Sequence, residues 1–177
     1  MNAKDRKRLE RIAYHEAGHA AAAWASGLPI RYVTIAPDQE TETLGHMMPG
    51  KNPAGFHPDR NMSANARDRI ERQLICTFAG PEAEARFAGR RSRIHASGDH
   101  HQAVDLASRV YFDGEQLRLY LRLQQLSARA LIGQTWVWQA VEALACALLQ
   151  RTRINAGEAR KIMIDATAPD PHVQKGT

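Results

Sequence analysis

The sequence predicts a mostly α-helical single domain, on three observations. The chain has 177 residues, 44% hydrophobic and 24% charged, a globular composition rather than the apolar-poor signature of disorder. Ala, Leu and Arg, all good helix formers, are plentiful. The one strongly strand-like run of β-branched and aromatic residues is short, "IRYVTIAP" at 30–37. A chain of this length buries a core without covalent staples. One domain is therefore expected over 1–165, with a disordered polar tail at 166–177.

The elements follow in order. Residues 4–26 form one helix, because Ile12, Ala13, Ala20, Ala23 and Trp24 recur at helical spacing and Gly27 then Pro29 supply the stop. "IRYVTIAP" is a strand, and "TLGHMM" at 43–48 is expected to return beside it as a second. Pro49, Gly50, Pro53, Gly55 and Pro58 mark a loop. Ser63 is the expected N-cap of a helix to about Phe87, which Gly80-Pro81 should kink or break, since proline lacks the amide hydrogen and crowds the preceding turn. Residues 89–96 are expected as a basic loop, with Ser97 capping a further helix through about Phe112 that Asp113-Gly114 ends. From Glu115 to Gln150 the pattern is helical again, interrupted at most near Gly133. Asn155 with Glu158 three residues later is a capping-box variant opening a last helix at 156–165. No internal repeat or linker divides the chain.

The formal net charge is +5, with basic clusters at Lys4–Arg11 and at Arg90, Arg91 and Arg93. No aromatic platform is interleaved with them, so they are expected as solvated faces and not as a nucleic-acid surface. The basic start is not followed by an uninterrupted apolar segment of the secretory type. The longest apolar candidate, "ALACALL" at 143–149, falls far short of the roughly 20 residues that cross a bilayer. A soluble, cytoplasmic protein with no membrane contact is expected. Cys76 and Cys146 lack metal-type spacing and are expected as buried, reduced thiols.

The chemistry concentrates in "AYHEAGHAAAAW" at 13–24. Residues four apart on a helix lie within about 40° of each other, so His15 and His19 can chelate one ion. Glu16 is rotated by about 100° and can stand beside that ion without ligating it. In an H-E-x-x-H site, Zn²⁺ lowers the pKa of its water toward about 7, and the glutamate takes the proton and passes it to the leaving amine. Gly18 costs such a helix roughly 1 kcal/mol relative to alanine, which implies that something approaches the backbone there. The same pattern also fits an amphipathic helix that binds nothing. A catalytic zinc needs a third protein ligand, and Glu82, Glu84, His95, Asp99, His100, His101 and Asp105 are all candidates. Spacing alone does not choose among them.

Five ordered segments, "HEAGHA", "YVTIAP", "LGH", "FAGPEAEARFAG" and "HASGDHHQAVDLA", together with the ending "LLQRTRINAGEARKI", resemble the peptidase domain of FtsH-type ATP-dependent zinc metalloproteases over about residues 10–164. The resemblance implies a zincin-like helical metallopeptidase domain with a small β-sheet or hairpin at the substrate edge. It implies His15, His19 and Asp99 as zinc ligands, Asp99 lying in a small-residue turn at the start of a helix with Ala103 four residues on. Glu16 is then the general base. His100 and His101 depart from the family pattern and are expected at the surface. Glu82 and Glu84 fit two readings equally: one of them accepts the outward N–H of a metal-bound histidine, or both lie on a solvated helix face. "RYVTIAP" and "LGH" resemble the sheet edge along which such peptidases lay an extended substrate; His46 falls near it and is taken as incidental.

The chain carries no G-x-x-x-x-G-K-[ST] phosphate loop. The expected function is that of a zinc endopeptidase on polypeptide substrates without its own ATPase, with a separate motor or adaptor needed for stably folded ones. The alternative is a regulatory metalloprotein that binds a partner and has little general proteolysis. Members of the family form six-membered rings with help from the ATPase module, so a homo-oligomer, hexameric or otherwise, stays open.

Overall fold

The structure, a computed structural model, describes residues 2–37, 45–54, 56–58, 62–90 and 93–168. Six helices and three short strands follow in the order α1 (Ala3–Ala25), β1 (Ile30–Thr34), β2 (His46–Pro49), α2 (Ala64–Ala88), α3 (Arg93–Ala107), α4 (Gly114–Gly133), α5 (Thr135–Arg151), β3 (Arg153–Asn155) and α6 (Ala156–Thr167). The chain is thus mostly helical with one small antiparallel sheet. Among the described residues, no helix is long and apolar enough to cross a membrane.

Helix α2 divides the interior. One of its faces, Cys76, Ala79 and Ala83, packs with the alanines of α1 and with Val137, Val141, Leu144 and Leu148 of α5. The other face, Ile70, Leu74 and Phe78, packs against Ala103 and Ala107 of α3 and Leu121 and Ala128 of α4. A helix apolar on two sides is what a central position demands. The contact that brings α1 onto α2 is very close. A Cβ on Gly18 would stand 2.5 Å from the Ala83 Cβ and 2.8 Å from the Ala79 carbonyl oxygen. The close approach implied at Gly18 is therefore that of α2, and the small side chains of both helices allow it.

The sheet runs β2-β1-β3. Val33 pairs with Met47 on one side and with Ile154 on the other, and Val33 and Ile154 are both buried in the same apolar cluster as residues of α1, α5 and α6. The expected return strand is present as β2; residues 43 and 44 of the expected run lie outside the described residues. Strand β1 is central and not an edge of the sheet, contrary to the edge position expected for "RYVTIAP"; the edges are β2 and β3. Strand β3 was not anticipated, since three residues are too few to show a period of two.

Several boundaries also differ from expectation. Pro81 does not break α2, which runs through it; residues 78–84 are all buried, and packing on both faces offsets the roughly 3 kcal/mol a mid-helix proline costs. Helix α3 starts at Arg93, so Ser97 lies inside it and does not cap it, and part of the expected basic loop is helical. The same helix ends at Ala107, where the amides of Val110 and Tyr111 both close onto the Ala107 carbonyl and turn Val110 into the α2–α4 core. Asp113 therefore opens α4, its carboxylate accepting from the amides of Glu115 and Gln116 at 3.0 Å. The capping role of Asn155 holds, with its side chain accepting from the Glu158 amide at 3.0 Å. Helix α6 extends to Thr167, two residues into the span expected as a disordered tail; residues 169–177 lie outside the described residues. Cys76 is buried as expected, but Cys146 is exposed.

Gly18→Ala tests the α1–α2 contact. The substitution improves helix propensity by about 1 kcal/mol, yet overpacking against a backbone carbonyl should leave a net loss of about 1–3 kcal/mol in urea unfolding. An unchanged or raised stability would contradict the packing described.

Candidate metal centre

Helix α1 supplies two imidazoles one turn apart. Their rings meet edge to face with centroids 4.7 Å apart, and the two Nε2 atoms approach to 3.0 Å. Asp99 comes from α3, its Oδ2 lying 3.2 Å from the His15 Nε2 and its Oδ1 3.4 Å from the His19 Nε2. Among the described residues, His15, His19 and Asp99 are the group of three whose potential ligand atoms converge, all within 4.8 Å of one another. Of the candidates for a third ligand, the structure thus brings Asp99 to the histidines.

The outward nitrogens are held by α2. His19 Nδ1 lies 2.8 Å from the Cys76 carbonyl oxygen, an acceptor only, so Nδ1 carries the hydrogen. His15 Nδ1 lies 3.5 Å from Glu84 Oε2, and Glu84 Oε1 accepts from the Arg11 Nε at 2.8 Å. Arg11, Glu84 and His15 form a chain in which a charged guanidinium fixes the carboxylate that orients the ring. Gly80 walls the Nε2 end of the His19 ring, where a Cβ would collide with Nε2, Cε1 and Cδ2. Glu84 is therefore the carboxylate behind the histidine, while Glu82 turns away to Arg129 at 3.1 Å.

This arrangement has an electrostatic consequence. With each Nδ1 hydrogen directed outward, two Nε2 lone pairs and a carboxylate face one another, an acceptor-only set that is unfavourable without positive charge in its middle. Burial works to lower the His15 pKa, but hydrogen bonding to Asp99 and Glu84 and the charges of Glu16 and Asp99 override it and push it up to about 10. Burial opposes the charged form of His19 as well, and the charge and hydrogen bond of Asp99 raise it nonetheless. Burial would raise Asp99, but the two imidazoles hold it well below the usual carboxylate range. Asp99 Oδ2 is buried, with His15 Nε2 at 3.2 Å facing it. Two imidazole nitrogens and one carboxylate that converge in this way could hold a divalent metal ion.

Glu16 is buried and stands outside the converging group of three, near enough for its charge to raise both histidines. The backbone just before β2 presses on it: a Cβ on Gly45 would lie 3.1 Å from Glu16 Oε1. The remaining candidates lie elsewhere. His100 and His101 are exposed, as expected of surface residues, and Asp105 is an exposed partner of Arg109 at 3.5 Å. The His95 side chain lies outside the described residues. His46 is half-buried in β2, opposite Thr34. Asp99 sits in the second turn of α3, because the helix begins at Arg93; its depressed pKa comes from the imidazoles. Sequence reasoning missed Arg11, Gly80, Gly45 and the Cys76 carbonyl. Arg11 alone carried a signal, lying four residues before His15 on the same helical face.

The raised histidines would make uptake of a metal ion a proton-releasing event. His15, with its folded pKa at about 10 against an ordinary 6.5, is protonated at pH 7 in the metal-free protein and must lose that proton to ligate. Its stabilising contribution in the metal-free state is full below the ordinary value and is lost as pH rises through about 10. Zinc titration by calorimetry at pH 7, in two buffers of different ionisation enthalpy, should show release of at least one proton per ion. Uptake without proton release would contradict the arrangement.

No protein-family model and no curated protein sequence matches the chain.

Proposed function

We propose that the chain is a zinc-dependent endopeptidase of the FtsH peptidase type, in which His15, His19 and Asp99 hold the ion and Glu16 is the general base. The observation that carries this reading is the buried, acceptor-only convergence of two imidazoles and a carboxylate, with a second buried carboxylate beside it that is not among the ligands. A purely structural ion has no use for that second carboxylate. The ordered segments from "HEAGHA" to "HASGDHHQAVDLA" support the same reading.

When bound, zinc would polarise the scissile carbonyl and make a water acidic enough to be deprotonated near neutral pH. Glu16 would take that proton at a carboxylate oxygen and return it to the leaving amine. Glu84 and the Cys76 carbonyl keep both Nδ1 hydrogens directed away, so that both Nε2 lone pairs stay available. The backbone at Gly45, against Glu16, leads into β2, which among the described residues pairs only with β1. An extended substrate laid along β2 would be held by main-chain hydrogen bonds and so with little regard to sequence. Stably folded substrates would require a separate motor or adaptor to open them.

Casein or peptide cleavage by the zinc-loaded wild type and by Glu16→Gln tests the proposal. The variant should retain zinc and lose at least about 10²-fold in rate, the lower end of what a general base contributes. Metal retained by both proteins with equal inactivity would overturn the peptidase reading in favour of a partner-binding regulatory metalloprotein.

A further inference from the structure

A cleft of about 340 Å³ opens between α2, α3 and α4. Its apolar part comes from Phe78 of α2 and Leu117 and Leu121 of α4, and its rim carries His100 of α3 and Arg118 and Arg122 of α4. Among the described residues, no acidic one lines it. Arg122 is steadied by a hydrogen bond from its Nη1 to Gln125 Oε1 at 3.0 Å. Arg118 pairs with Glu115 at 3.9 Å, both side chains largely exposed, a pair that holds the guanidinium only weakly. His100 directly follows Asp99, so the mouth of the cleft lies next in the chain to a residue of the metal centre. Consecutive Cα atoms are about 3.8 Å apart, so the backbone of α3 links the cleft directly to the residue that faces the two imidazoles.

We propose that this cleft is a specificity subsite for a large apolar side chain neighboured by a carboxylate. It rests on the peptidase reading for the use it serves. The apolar floor removes a phenylalanine- or leucine-sized side chain from water, and a concave apolar pocket with few convergent polar groups is how proteins select such ligands. The guanidiniums above it match a carboxylate in charge and in fork geometry. With no lining acid to neutralise them, they prefer an anionic neighbour to a neutral one. That carboxylate can be the free end of the substrate chain or the side chain of an Asp or Glu; the recognition chemistry is the same.

The test uses Glu16→Gln, which binds without cutting, with chelator-treated wild type as a second non-cutting form. Four dye-labelled synthetic hexapeptides are compared by fluorescence anisotropy: one ending in Phe as the free acid, its C-terminal amide, and two amidated peptides with internal Phe-Glu or Phe-Gln. At least one carboxylate peptide should bind about tenfold or more tightly than its neutral twin, the scale of a charge-assisted hydrogen bond. Which pair shows the difference identifies the source of the carboxylate. In the doubly substituted Arg118→Ala, Arg122→Ala protein the preference should vanish while the neutral twins bind as before. Both arginines are exposed, so the double variant is expected to fold. Equal binding within both pairs, or a preference that survives loss of the arginines, overturns the proposal. Because binding is read without turnover, a protein that prefers the carboxylate peptides but cuts none sinks the peptidase reading alone. One that cuts casein yet shows no charge preference sinks the subsite alone.

Discussion

The narrow gap between α1 and α2 is the constraint on which the candidate site depends. Gly18 lets the two backbones meet, and that contact places the α2 atoms that hold each imidazole from behind. Gly80 walls one ring, the Cys76 carbonyl takes its N–H, and Glu84 faces the other. Widening the gap by the size of a methyl group would loosen all three at once, because they are spaced along consecutive turns of one helix. A protein interior is packed too tightly for such a shift to be absorbed elsewhere. The same helix presents its other face to α3, which carries Asp99. Position and chemistry of the site thus follow from how closely one central helix is approached from two sides.

The electrostatics follow from that geometry. Buried imidazoles ordinarily favour the neutral form, because burial penalises charge. Here Asp99, Glu84 and Glu16 surround them and reverse the preference. Without a cation the pocket draws protons, and with one it would exchange them for the ion. A site that served only to fill the core would be expected to use apolar side chains, since a buried set of charged groups is seldom the more stable choice.

How much was visible in the amino-acid order varied with the range of the interaction. The pairing of His15 with His19, the offset of Glu16 and the intrusion at Gly18 are properties of one helix, and helical geometry alone revealed them. The caps at Ser63 and Asn155 were equally local. Asp99 was one of seven candidates until family resemblance singled it out, because contact between α1 and α3 is a tertiary fact that spacing does not encode. The Gly80-Pro81 pair shows a competing effect: locally it signals a break, but burial on both faces keeps α2 intact and uses Gly80 as a wall for His19. The start of α3 was misplaced for a related reason, a serine with good capping chemistry lying inside a helix that begins four residues earlier. Strand β3 was too short to have a pattern, and its pairing exists only because α5 and α6 set it beside β1.

The central claim is that a carboxylate from α3 joins two imidazoles from α1 around one cation, and X-ray absorption at the zinc K-edge tests it most directly. Loaded with one zinc per chain, the protein should show a four- or five-coordinate ion with two imidazoles, oxygen ligands at about 2.0–2.2 Å and no sulfur, and Asp99→Asn should lose or alter that shell. A sulfur shell near 2.3 Å, an all-oxygen environment, or a spectrum unchanged in Asp99→Asn would contradict the account.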